Sequence, residues 1–267
     1  MDYFLIRLGE VAKRHYEWLS SIGMVCNESK TEFVIFDRHG RFKEKSLQIN
    51  NELIKPGRTM KILGMLFESN LGWTKQVNKV IQSANSMILA LRYINRFLTR
   101  PQFKMAVQAH YVSRITYGSV VWSRLISARD RQKLNVNLNR VARMVLKVNK
   151  KKLSNRELYV GSGLRSFSSV CIMAECGTLY GLCTELQLEP LSERLLSQSY
   201  VSERFGNTLK FFDYSRIRVG KNSFVNRAKN IAELMNFDWT NMKPLSFKNA
   251  LKAAVPLYME RDTRFFS

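Results

Sequence analysis

Residues 60–81 read Met60-Lys61-Ile62-Leu63-Gly64-Met65-Leu66-Phe67-Glu68-Ser69-Asn70-Leu71-Gly72-Trp73-Thr74-Lys75-Gln76-Val77-Asn78-Lys79-Val80-Ile81, and inside this stretch the period of the chain changes. Met60 to Phe67 is a short apolar run of the length and composition of a strand. From Thr74 onward the apolar residues recur at three- and four-residue spacing, which is the helical period. The chain therefore divides here into an opening part that contains a sheet and a longer helical part.

Upstream, Leu8, Val11, His15, Trp18, Leu19 and Ile22 predict one face of an amphipathic helix over residues 3–22, with Gly23 as its left-handed C-terminal cap. Glu32 to Phe36 reads as a strand, and Leu47 to Ile49 as a second that turns through Asn50-Asn51 into Glu52 to Ile54. Pro56-Gly57 then break the chain before the third strand, Met60 to Phe67. The opening seventy or so residues are expected to be one helix followed by a small antiparallel sheet.

Downstream, a helix over 74–98 places Val77, Ile81, Ala84, Ile88, Leu91 and Leu98 on one face. At 100° per residue, Lys75, Lys79 and Arg96 fall roughly opposite, with Arg92 on the flank. Pro101 opens a second helix to about Tyr117, whose apolar and basic faces separate poorly. A third runs from Asp130 to about Val148, with the stripe Leu134, Leu138, Val141, Val145 and Val148 against Lys133, Arg140, Arg143 and Lys147. Beyond the run Lys150-Lys151-Lys152 the chain reads as mostly helical, with breaks near Gly161 to Gly163, Pro190, Gly206, Gly220 and Pro244. The expected fold class is α+β, mainly α, organised as 1–73, 74–152 and 153–267.

The charge follows the same division. Residues 74–152 carry seventeen Lys or Arg and one acid, Asp130, so the net charge of +22 divides as +2, +16 and +4 along the three segments. Solvated helix exteriors ordinarily mix signs, so a one-sign block on folded helices points to a polyanionic partner. The chain is long enough to bury a core, with 45% apolar residues among its 267. No apolar run approaches the roughly 18 to 20 residues of a membrane span, and no signal peptide is expected. Four cysteines do not make a disulfide framework in a chain of this size, which fits an intracellular location, cytoplasmic, nuclear or both.

Two strings carry a resemblance. Gly23-Met24-Val25-Cys26-Asn27-Glu28-Ser29-Lys30-Thr31-Glu32 follows the first helix, and Ile62-Leu63-Gly64-Met65-Leu66-Phe67 precedes Leu71-Gly72-Trp73 and the basic helix. In this order they resemble the end of the palm of non-LTR (LINE-type) retrotransposon reverse transcriptases. Tyr117-Gly118-Ser119-Val120-Val121-Trp122 is similar to a signature past the thumb of the same elements. The likeness is good over residues 1 to about 125 and weak to about 170, where Leu158 to Leu164 is similar to a further family stretch.

The resemblance implies a palm remnant, a basic helical thumb and a helical C-terminal domain. It implies a primer grip at Leu63 and Gly64, and phosphate contacts from Lys75, Lys79, Arg92, Arg96, Arg140, Arg143 and Lys147. Lys30 reads two ways: as a solvated lysine beside a turn, or, by the resemblance, as a general acid on the pyrophosphate side. The implied partners are RNA and RNA/DNA or DNA duplex, with neither a membrane nor a small-molecule substrate. The implied enzyme class is RNA-directed DNA polymerase.

That chemistry needs carboxylates holding Mg²⁺. No Asp-Asp pair occurs in the sequence, and Asp2, Asp37 and Asp213 stand in unrelated contexts. By the resemblance the chain begins just past the catalytic turn, so it is expected to be inactive alone, with no cofactor of its own and Mg²⁺ only in a complete polymerase. A group II intron maturase, or a stand-alone RNA- or DNA-binding protein, fits the basic helices as well. Other chemistries lack their residues. Cys171, Cys176 and Cys183 are spaced too widely for a zinc knuckle and read as core thiols. His15 reads as a packed histidine, and Gly161-Ser162-Gly163-Leu164 lacks the lysine of a phosphate cradle.

Overall fold

The structure, a computed structural model, describes residues 2–27, 30–49, 52–148, 153–184, 191–197, 199–202, 208–211, 223–235 and 237–261. The Asn50-Asn51 turn, Ser29 and the run Lys150-Lys151-Lys152 lie outside the described residues. The fold is mainly helical with small antiparallel sheets, as the α+β reading expects. The chain forms two compact units, Met1–Gln76 and Val77–Ser267. The sequence division near residue 73 lies close to that boundary. Both sides of residue 152 fall in the second unit, where Trp122 stacks on Phe167.

In the first unit, helix α1 (Asp2–Ser21) is followed by the hairpin β1 (Leu47–Ile49) and β2 (Glu52–Ile54), then the hairpin β3 (Thr59–Ile62) and β4 (Met65–Glu68). Phe33, Leu47 and Ile49 form its buried core, with Leu5, Ala12, Tyr16, Ile35 and Ile54 packed against them. α1 therefore turns Leu5, Gly9, Ala12 and Tyr16 inward. The face read from the sequence is the wrong one: Leu8, Val11, Trp18 and Ile22 are 44–55% exposed, and His15 is exposed and stacks on Trp18. Small residues win this contact because they let backbones approach. A Cβ on Gly9 would lie 2.6 Å from the Gln48 carbonyl oxygen, so α1 rides directly on β1.

Two further expectations are corrected. Glu32 to Phe36 is extended but joins no strand ladder; the Phe33 carbonyl accepts from Gly57 N–H at 2.7 Å, and Asp37 N–H donates to the Ser69 carbonyl at 2.8 Å. Met60 to Phe67 is not one strand but the β3–β4 hairpin, with Ile62 paired to Met65 and Leu63-Gly64 as its two-residue turn. Both turn residues have positive φ, 46° at Leu63 and 82° at Gly64. A turn of this hand matches the twist of the paired strands, which is why Gly64 suits it and Leu63 is strained in it.

The second unit contains most of α2 (Thr74–Ile94), then α3 (Arg100–Ala106), a π-helical turn (Val107–Val112) and α4 (Ser113–Thr116). After Gly118 (φ 62°) come α5 (Ser119–Trp122), α6 (Ala128–Leu146), α7 (Asn155–Ser162) and α8 (Phe167–Thr184). α9 (Leu191–Leu196), the hairpin β5 (Ser199–Ser202) and β6 (Thr208–Phe211), α10 (Phe224–Leu234) and α11 (Pro244–Arg261) complete it. The β5–β6 hairpin stands where the sequence suggested helix.

The poorly separated middle helix has a physical explanation. Its buried residues Phe103, Val107, Tyr111 and Ile115 are spaced four apart throughout. In a regular α-helix that spacing drifts by about 40° per step and would walk off the core. The wider π-helical turn over Val107–Val112 absorbs the drift and keeps all of them inside.

α8 is the centre of this unit. It is apolar around its circumference, and its 18 residues are long and apolar enough to cross a membrane, although the sequence reading expected no such run; 56% of it is buried within the protein. At its middle the fully buried Glu175 carboxylate accepts from Arg124 Nε at 3.2 Å and pairs with Arg227 at 2.6 Å. Trp122 is fully buried, stacks on Phe167 and donates its indole N–H to the Tyr117 carbonyl at 3.1 Å. The Tyr117–Trp122 string thus acts as a packing device that ties α5 to α8.

Candidate nucleic-acid interface

The basic segment divides into cations that hold the fold together and cations that face outward. Arg124 belongs to the Glu175 cluster, Arg114 donates to Ser83 Oγ at 3.1 Å, and Lys133 pairs with Asp130 at 2.8 Å. Asp130, the one acid of the segment, sits in the first turn of α6, where Ser127 Oγ accepts its N–H. Negative charge there complements the helix dipole. Arg100 donates to the Gly161 carbonyl, and the Lys104 ammonium lies against Gly163, so both serve the C-terminal end of α7. Arg131 is half-buried, and burial with the neighbouring Arg124 guanidinium pulls its pKa below the usual arginine value. Apart from the Asp130–Lys133 pair within α6, these assignments were not readable from the sequence, because the partners lie 31 to 61 residues along the chain.

The residues expected to touch phosphates are mostly among the remainder. Lys75, Arg92, Arg96, Arg140 and Lys147 are exposed, while Lys79 and Arg143 are half-buried. Arg129, which the sequence reading did not single out, is also exposed. The apolar faces opposite these cations are in the core: Val77, Ala84, Ile88 and Leu91 of α2, and Leu134, Leu138, Val141 and Val145 of α6, are each at most 3% exposed. Leu98 and Val148 lie beyond the ends of the helices assigned to them.

The C-terminal ends of α2 and α6 meet. Asn95 Nδ2 donates to the Met144 carbonyl at 3.4 Å, so the segment carrying Arg92 and Arg96 lies beside the one carrying Arg140, Arg143 and Lys147. Lys79 stands near the other end of α2, about 20 Å along the helix from Arg92. Lys147 takes φ 55° at the left-handed position that closes α6. Beside this group the Tyr159 hydroxyl donates to Asn139 Oδ1 at 2.6 Å, and burial pushes its pKa up to about 12.

In the first unit, the hairpin proposed by resemblance to grip a primer is fastened to the start of α2. Lys75 N–H donates to Glu68 Oε1 at 2.9 Å, and Leu66 N–H donates to the buried Gln76 side chain at 2.9 Å. The Phe67 ring meets Trp73 edge-on at 5.1 Å. Leu63, at the hairpin tip, is 80% exposed. Lys30 is exposed, and its N–H donates to the Asn27 carbonyl at 3.1 Å.

The described carboxylates do not fit a Mg²⁺ site. Asp2 pairs with Lys45 at 2.6 Å, Asp37 accepts from the backbone N–H groups of its own turn, and Asp238 accepts from Thr240 and Asn241. Among the described residues no three His, Cys, Asp or Glu converge. Cys171 and Cys176 are buried thiols whose pKa burial pushes up to about 12, as core packing expects. The second unit also holds a cleft of about 500 Å³ lined by Val112, Met173, Phe247 and Leu251, with Arg165 and Lys248. No protein-family model, curated protein or solved structure matches this chain.

Proposed function

We propose that this chain is the C-terminal part of a non-LTR retrotransposon reverse transcriptase, comprising the end of the palm, the thumb and a following helical region, and that it grips a primer–template duplex. The observation that carries the reading is the +16 segment, whose outward cations lie opposite the buried stripes Val77, Ala84, Ile88 and Leu91 of α2 and Leu134, Leu138, Val141 and Val145 of α6. Arg92, Arg96, Arg140, Arg143 and Lys147 contact phosphates at the joined ends of α2 and α6, and Lys75 and Lys79 do so along α2. Contacts of this kind position a duplex without reading its sequence. Leu63 and Gly64 meet the primer end. Among the described residues no carboxylates converge as metal ligands, so on this reading polymerisation draws them from other sequence, and the free thiols suit a reducing intracellular compartment.

A stand-alone RNA- or DNA-binding protein is the second reading. It is favoured by the local engagement of Asp2, Asp37 and Asp238, each held by its own surroundings rather than with another carboxylate. Both readings require nucleic-acid affinity that falls steeply with salt. Neutralising about eight phosphates gives a slope of log affinity on log salt of about −6 to −7. A fluorescence-anisotropy titration of an RNA/DNA duplex over a salt series measures it, and a slope near zero overturns the assignment. Primer extension with Mg²⁺, nucleotides and the same duplex separates binding from catalysis, with no extension expected from this chain alone.

A further inference from the structure

The outward face of α2 changes character along its length. Its first half carries Lys75, Lys79, Gln82 and Ser86; its second carries Leu89 and Tyr93, continued by Phe97 in the turn after the helix. Leu89, Tyr93 and Phe97 are 66, 61 and 68% exposed, although an apolar side chain gains by burial. The two rings meet edge-on at 5.7 Å. The Arg96 guanidinium lies 4.5 Å from the centre of the Tyr93 ring and 5.2 Å from that of Phe97. Its Nε donates to the Tyr93 carbonyl at 3.2 Å, which fixes the group as one platform. The Asn95–Met144 hydrogen bond joins this end of α2 to the end of α6 that carries Arg140, Arg143 and Lys147.

We propose that Tyr93, Arg96 and Phe97 form a stacking platform for unpaired nucleobases, so that this end of the second unit takes a single-stranded segment leaving the duplex. This rests on the nucleic-acid reading above. A duplex gripped by its backbone presents phosphates and has no use for exposed rings, whereas an unpaired strand offers phosphates and π-faces together. The surroundings match that ligand in charge: Arg96 belongs to the platform, and Arg92, Arg140 and Lys147 are exposed at this joined end of α2 and α6. Cation–π pairing holds Arg96 where it can stack on a base and meet the adjoining phosphate. The platform reads no sequence, because every base has a face to stack.

The test compares a blunt RNA/DNA duplex with the same duplex carrying an unpaired tail, for the full chain and for Tyr93→Ala/Phe97→Ala. Both side chains are exposed, so the thermal unfolding midpoint should hold; Tyr93→Phe keeps the ring and should behave as the parent protein. The tailed duplex should bind the parent more tightly than the blunt one, and the double variant should lose about tenfold per stacked base on the tailed probe alone. A 2-aminopurine in the tail should be quenched by the parent and not by the variant. Equal affinity of parent and variant for the tail, or equal loss on both probes, overturns the platform while leaving the duplex reading intact. Failure of the parent to bind the blunt duplex at low salt sinks that reading and this one with it. If sedimentation shows a dimeric parent and a monomeric variant, the rings are a contact between copies, and the proposal falls.

Discussion

At the scale of single residues, the clearest energetic statement concerns Glu175. Its carboxylate is fully buried between Arg124 and Arg227, which are themselves 11 and 8% exposed. Glu175→Gln removes the one negative charge and leaves two desolvated guanidiniums facing each other. Breaking a buried pair from one side typically costs about 3–5 kcal/mol, so urea unfolding of this variant should show a large loss. Leu63 gives the opposite sign. Held at φ 46° with its side chain 80% exposed, it gains little from packing and is strained by its backbone. Leu63→Asn should stabilise the first unit by about 1 kcal/mol, since Asn-Gly is the preferred pair in this turn. If Leu63 meets a primer end, the same variant binds duplex more weakly despite its greater stability, which equilibrium unfolding and anisotropy measure side by side.

At the scale of elements, α6 separates its tasks by face. Leu134, Leu138, Val141 and Val145 are buried, and Arg140 and Lys147 are exposed. Arg143 is half-buried and interacts with Tyr159, so it is less suited to a clean test. Arg140→Glu/Lys147→Glu should therefore leave the unfolding midpoint nearly unchanged and make the salt slope shallower by about 2. A variant that unfolds, or one that binds as before, contradicts this assignment of the faces. α6 was readable because its stripe follows the helical period and nothing in its neighbours overrides it. α1 was not. Its larger apolar side chains form the more obvious stripe, but the close approach of Gly9 to the Gln48 carbonyl selects the face of small residues. The helix from Arg100 failed for a different reason: its period is four, and an α-helical template cannot show that a π-helical turn will accommodate it.

At the scale of the molecule, burial predicts a response to pH. The thiols of Cys171 and Cys176 are pushed up to about 12 and that of Cys183 to about 11, from an ordinary 9.0, while Tyr159 rises to about 12 from 10.0. Each raised value means that the unfolded chain ionises first. The stability these groups contribute is complete below about pH 9 and is lost as pH rises toward about 12, at up to about 1.4 kcal/mol per unit for each group. The urea midpoint should hold between pH 7 and 8.5 and fall steadily above, roughly as these groups ionise. A midpoint that stays flat to pH 11 contradicts the burial of these thiols.

The sequence by itself determined the mainly helical α+β class, the change of period at Thr74, the faces of α2 and α6 and the concentration of charge between Thr74 and Lys152. All of these depend on spacing along one element or on composition, which the chain carries locally. The tertiary structure decided which face of α1 packs, that Met60–Phe67 folds back on itself, and that α2 and α6 bring their basic ends together. It also decided which cations are committed to Glu175, Asp130 and the end of α7. Charge adds up along a sequence, but whether a given cation is solvated depends on what lies opposite it in space, and those partners are up to 61 residues away.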